Sequence, residues 1–163
     1  MASARTSRRT LWLSLGALGL LLAVWVASLL VPDGRPTDLE AAEKQVLEVF
    51  DHIEAGVPSA ELIDSEDSSA RIACANHDDQ RQTEMERTVS VADSLDRAAW
   101  ARELISSFSP DDGWDVRATT LGENDDLRVR IVGRELLVFN VYISDESGTP
   151  RITMRSTTEC APK

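Results

Sequence analysis

The chain has 163 residues, 28 of them acidic and 17 basic, for a formal net charge of −11 at neutral pH. Only Asp33 and four arginines precede Pro36, so the remainder holds 27 acidic and 13 basic residues and carries about −14. A charge of that sign and size argues against nucleic acid and anionic lipid headgroups as partners, and it favours solubility, cations and basic surfaces.

Residues Leu11 to Val31 form an uncharged run of 21 residues. About 20 apolar residues in helix span the hydrocarbon core of a bilayer. Arg5, Arg8 and Arg9 precede the run and only Arg35 follows it, so the basic segment 1–10 is expected in the cytoplasm and the rest outside. The expectation is a single-pass cell-membrane protein: a cytoplasmic N-terminus, a signal-anchor helix over 11–31, a linker over 32–36 and an extracytoplasmic domain over 37–163. Cleavage after Val26-Ala27-Ser28 is the alternative, set against the further apolar residues Leu29, Leu30 and Val31. No cysteine ends the apolar run, which removes the lipoprotein reading. Ser7-Arg8-Arg9-Thr10-Leu11-Trp12 has the look of a twin-arginine signal, but positive-inside charge accounts for it. Gly16, Gly19 and Ala23 offer a small-residue face for weak homodimerisation within the membrane.

Beyond the linker, Thr37-Asp38-Leu39-Glu40 reads as a capping box with Thr37 as its cap. A helix follows to about Ala55, with Leu39, Ala42, Val46, Val49/Phe50 and Ile53 at helical spacing and Gly56 as its stop. Val57 to Ser69 lacks periodicity and reads as a loop. Arg71–Ala75 and Thr88–Val91 read as strands joined by a polar connection over His77–Glu86. Asp93 is the expected cap of a second helix reaching Phe108, closed by Ser109-Pro110-Asp111-Asp112-Gly113.

The last third reads as strands. Trp114, Val116, Ala118 and Thr120 alternate with polar neighbours, and Leu127, Val129 and Ile131 do the same. Gly133-Arg134 is expected to form a two-residue hairpin turn. Leu136–Ile143 is apolar on both faces, as suits a central strand, and Ile152 and Met154 mark a fourth. The fold class is α+β: a transmembrane helix, then an antiparallel sheet with two helices packed on one face.

The two cysteines, Cys74 and Cys160, would lie in an oxidising compartment, so a disulfide is expected. A free-thiol or metal role is the alternative, against which stands the lack of a CxxC spacing.

An early helix, a strand bearing Cys74, a helix ending in Gly113-Trp114, and hairpins closing on the last-strand Cys160 follow in order. In this the chain resembles the small exported or membrane-anchored proteins of unknown function common in actinobacteria. Its 15 arginines against two lysines resemble the bias of those genomes. Many such proteins are lipoproteins, and this chain departs from them in lacking the lipid-bearing cysteine. The resemblance implies an anchored two-cysteine α+β domain and brings no activity with it.

Chemistry is sparse in the sequence. His52 has Glu48 one turn earlier and Asp51 beside it, but a metal site needs three or four ligands, so a half-buried packing role is expected. His77-Asp78-Asp79 has no nucleophile set beside it and reads as solvated loop. Neither a Gly-x-Ser-x-Gly elbow, a Ser-x-x-Lys pair nor a Gly-rich phosphate loop occurs, and Lys44 and Lys163 are the only lysines. Asp111–Asp115, Glu123–Asp126 and Asp145-Glu146 are turns that could hold calcium, although Asp, Asn and Gly are what turns require. Neither a cofactor, a metal nor a catalytic residue is assigned. The expected function is non-enzymatic binding of an envelope protein or small ligand. The alternatives are calcium or small-molecule sensing through the acidic loops, and an unrecognised hydrolase.

Overall fold

A computed structural model describes residues 36–162 apart from Asn76, 122–125, 134–135 and 146–147, and only the backbone of His77, Asp78 and Leu121. The expected membrane span over 11–31, its basic flank and the glycines within it lie outside the described residues. Among the described residues no helix is long and apolar enough to cross a membrane.

Helix α1 runs Leu39–Ala55 and buries Leu39, Ala42, Val46, Phe50 and Ile53, the stripe expected from their spacing. Its cap is Asp38, one residue later than expected. The Asp38 carboxylate accepts the Ala41 N–H at 2.9 Å, and Thr37 merely donates its hydroxyl to that carboxylate at 3.2 Å. Aspartate caps better than threonine and places a negative charge at the positive end of the helix. With Asp38 as cap, Glu40 sits one position short of the capping-box site.

Strands β1 (Leu62–Cys74) and β2 (His77–Val91) form one long antiparallel hairpin paired from Leu62↔Val91 to Cys74↔His77. The segments expected as a loop over Val57–Ser69 and as a connection over His77–Glu86 are therefore largely strand. β1 is an edge strand with nearly every position exposed on both faces, so its sequence carries no hydrophobic alternation.

Helix α2 spans Arg97–Ser107, capped by Asp96, whose carboxylate accepts the Ala99 N–H at 2.8 Å. The expected cap, Asp93, lies three residues outside, in a turn where the Leu95 N–H donates to the Ala92 carbonyl. Pro110–Asp112 then makes a short 3₁₀ turn, and Gly113 takes the left-handed conformation (φ 83°) that ends it.

Strands β3 (Asp115–Leu121), β4 (Asp126–Val132), β5 (Val138–Ser144) and β6 (Arg151–Thr157) form the expected four-strand meander. The β4–β5 connection is five residues, not two: the Gly133 N–H donates to Leu137 O at 2.9 Å and Leu136 takes φ 60°. Gly133 answers to packing instead of turn geometry, because a Cβ there would stand 3.0 Å from the Trp114 ring. The full order is β1-β2-β6-β5-β4-β3, all antiparallel, with the short β7 (Ala161–Pro162) also on β2.

Both helices cover the same face. That face presents Val89, Ile152, Met154, Val141, Phe139, Ile143, Val129 and Ile131 to Val46, Phe50, Ile53, Trp100 and Leu104 in one core. Cys74 and Cys160 are joined in a disulfide, with Cα atoms 6.1 Å apart and 86 residues of separation. Beside it the Thr83 N–H donates to Thr158 Oγ1 at 2.9 Å, tying the C-terminal segment to β2.

Candidate functional site

Strand register divides the charged residues between the two faces of the sheet. Residues 83, 85, 87, 89 and 91 of β2 point to the helices, and 84, 86, 88 and 90 point away.

The helix side spends its charges on internal ties. Arg87, 8% exposed, gives Nε and Nη2 to the Asp67 carboxylate at 2.6 and 2.9 Å. Its Nη1 donates to Asp51 at 2.7 Å and Glu54 at 2.9 Å, and the guanidinium lies over the Phe50 ring at 5.8 Å. One buried cation thus ties β1, β2 and α1 together. The bidentate hydrogen bonds from Arg87 hold the Asp67 carboxyl below its ordinary range, against the opposing effect of burial. The same bonds, that to Asp67 first, push the Arg87 pKa further up, so the guanidinium keeps its charge throughout. Glu43 on α1 accepts from Arg71 at 3.1 Å and from the Thr83 hydroxyl at 2.8 Å, and Arg71 above all lowers its pKa.

Among the described residues no helix covers the other face. Following the ladder, Ser68, Glu86, Arg155, Asn140, Arg130 and Arg117 form one cross-strand row, and Glu66, Thr88, Thr153, Tyr142, Arg128 and Thr119 form the next. All twelve stay at least partly accessible. Arg128 is held in position by Asn140 Oδ1 at 2.7 Å and by the Tyr142 ring at 5.5 Å, while its buried Nε has no acceptor. Arg117 and Arg130 stand directly opposite each other, an arrangement that costs stability between like charges. Arg117 has Asp115 at 3.1 Å for relief. An open groove of about 890 Å³ crosses this face, lined by Gln82, Glu84, Glu86, Asn140, Arg155 and Thr157, with Leu136 at its rim.

Among the described residues, those singled out in the sequence do not meet at a reactive centre. His52 is exposed: its Nε2 lies 3.1 Å from Ser107 Oγ and its ring packs edge-on against Phe108 at 5.0 Å. Since the Ser107 hydroxyl donates to Leu104 O, the imidazole nitrogen is the donor in that pair. His52 thus joins α1 to α2, packing at the edge as expected but without half-burial. Glu48, its helical neighbour, pairs with Lys44 at 3.8 Å. The side chains of His77 and Asp78 lie outside the described residues, as do Glu123–Asp125 and Glu146. In the 3₁₀ turn the Ser109 hydroxyl accepts the Asp111 N–H, a turn role. Asp145 takes Arg97 at 2.8 Å. Among the described residues no group of three or more His, Cys, Asp or Glu is arranged to hold a metal ion.

The arginine face was not visible in the sequence, where a net acidic balance hides it. The available signal was Arg128-Val-Arg130 and Arg151-x-x-x-Arg155, same-face pairs in strands read as alternating. Comparisons with protein families, with curated proteins and with solved structures found no match.

Proposed function

We propose that this chain is a non-enzymatic, membrane-anchored module whose extracytoplasmic α+β domain binds a protein through the uncovered face of its sheet. The observation that carries the reading is the unequal treatment of charge on the two faces. Arg87, Arg71, Asp67, Glu43 and Glu54 are consumed by ties between helix and sheet. On the open face Arg155 is tied to Glu86 and Arg117 to Asp115, whereas Arg128 and Arg130 stand on the open surface, one braced by an amide and an aromatic ring, the other facing a like charge. Rigid, prepositioned arginine beside tyrosine is the composition of protein-binding surfaces. The retained N-terminal span would hold that face outside the membrane.

Crosslinking in intact cells, followed by purification through a C-terminal tag and mass spectrometry, tests the reading. A defined protein species should be captured by the wild type and lost in the Arg128→Glu/Arg130→Glu variant. Equal capture by both would overturn the open face as the binding surface. Turnover of ester, peptide or glycoside substrates by the purified chain would overturn the non-enzymatic reading.

A further inference from the structure

We infer that the occupant of the uncovered face is a second copy of this chain, bound about a two-fold axis running parallel to the strands; the inference rests on the binding-module reading above. Three observations point to it. The first is charge. On this face β1 and β2 carry Asp64, Glu66, Glu84 and Glu86, whereas β6, β4 and β3 carry Arg151, Arg155, Arg128, Arg130 and Arg117, with Asp115 beside Arg117. These five acids and five arginines cancel; Asp126, on the same face by register, adds one acid and lies 4.0 Å from Arg97. A face that is close to neutral yet split into an acidic and a basic half, on a domain of about −14, repels a polyanion or a polycation over one half and matches its own image.

The second is register. In the order β1-β2-β6-β5-β4-β3, a dyad along the strands lays β2 of one copy over β4 of the other, β1 over β3, and β6 over β5. Glu86, bonded to Arg155 of its own chain, shares one cross-strand row with Arg130, so the dyad adds Arg130 of the mate as a second cation against each Glu86. Glu66 meets the strand of Arg117 one row along. The interface is isologous and each ionic set occurs twice.

The third is the fit of an apolar anchor. Leu136, 80% exposed with φ 60°, is a bulky residue in a conformation that costs free energy, held out on the β4–β5 loop. The same dyad carries that loop to the strip between β2 and β6 of the other copy, where Glu84, Thr157 and Thr158 line the groove. Leu136 thus enters the facing groove, giving a polar interface one desolvated centre on each side. Six strands about 4.8 Å apart and about seven residues long present on the order of 700 Å², close to the ~800 Å² per partner of an ordinary specific interface.

The test is sedimentation of the purified full chain in a mild detergent at low salt and at about 0.5 M salt, where screening is strong. The wild type should form a dimer whose dissociation constant rises about tenfold or more with salt. Arg128→Glu/Arg130→Glu and Glu66→Arg/Glu86→Arg should each be monomeric alone, and an equimolar mixture of the two should form a heterodimer, because both ionic sets are then complementary again. Leu136→Ser should weaken the dimer without changing the fold seen by circular dichroism. A wild-type monomer at every salt overturns the inference, and so does a dimer that survives both charge reversals, which would place the contact elsewhere, the membrane span included. If the chain is monomeric but still captures another protein in a way that Arg128→Glu/Arg130→Glu abolishes, the binding-face reading stands and only the identity of its occupant falls.

Discussion

Among single residues, Arg87 and Asp38 do the most for the least sequence signal. Arg87 falls between the polar connection expected to end at Glu86 and the strand expected from Thr88, yet it is the only described cation surrounded by three carboxylates at hydrogen-bond distance. Replacing it by leucine leaves Asp51 and Asp67 without their donor and Glu54 with only the Ser65 hydroxyl. Asp51 and Asp67 are half or more exposed and can rehydrate, so the expected loss is about 2 kcal/mol instead of the larger cost of a fully buried pair. The pH dependence follows from the carboxylates. Asp67 and Glu43 titrate below their ordinary values in the folded domain. Their contribution is therefore complete above the unfolded values near pH 4 and is lost as pH falls through the lower folded ones. Chemical denaturation of the wild type should show stability dropping below about pH 4, and Arg87→Leu should flatten that drop by removing the Asp67 part while the Arg71–Glu43 part persists. An unchanged acid limb in Arg87→Leu would refute the assignment. At the helix start, Asp38→Ala should cost about 1 kcal/mol and Thr37→Ala a few tenths at most, measured by urea denaturation. The reverse order would restore Thr37 as the cap.

At the scale of elements, the parts legible in the sequence are those with one buried face. α1 and the four strands β3 to β6 bury a stripe or alternate positions, and their spacing places them within a few residues. The hairpin was illegible for a physical reason: β1 from Asp64 to Arg71 is exposed throughout, and a strand that buries neither face leaves no period to read. Its partner β2 does alternate from Thr83 onward, but the inward positions include Thr83 and Arg87, whose burial is paid for by Glu43, Asp67 and Glu54 and not by hydrophobicity. What closes the far end of this polar hairpin is covalent. Cys74 and Cys160 pin the tip of β1 to the C-terminal segment beside Thr158 and β7. A loop of that length stabilises by about 4 kcal/mol in the chain-entropy account, so reduction should lower the melting temperature by about 15 °C for a domain of this size. Hydrogen exchange on the reduced protein should first deprotect Gln80, Arg81 and β7, with β4 and β5 unaffected. Uniform deprotection, or none, would show that the bridge does not act locally.

For the folded domain as a whole, the net charge that dominates the sequence is not spread evenly. The uncovered sheet face is close to neutral: five acids and five arginines cancel there, and Asp126 at the start of β4 adds one acid beside Arg97. The surplus acid must therefore sit on the helix layer, the edges and the loops, as with Glu40, Glu48, Glu103, Asp111 and Asp112. This layering explains why composition alone, which shows only a net acidic balance, does not reveal five arginines on one surface. It also makes opposite demands on salt. Repulsion among the surplus carboxylates weakens the folded monomer and is screened as the Debye length falls from about 10 Å at 0.1 M to about 3 Å at 1 M. Attraction between the acidic and basic halves of facing copies is screened over the same range. The Arg87 cluster, largely removed from water, is screened much less. The melting temperature of the monomeric Arg128→Glu/Arg130→Glu variant, followed by calorimetry, should therefore rise between 0.1 and 1 M salt, while wild-type self-association weakens. If the variant's melting temperature falls as salt is added, the net repulsion of the acidic layer is not what limits its stability, and the uneven placement of charge would carry no energetic consequence for the monomer.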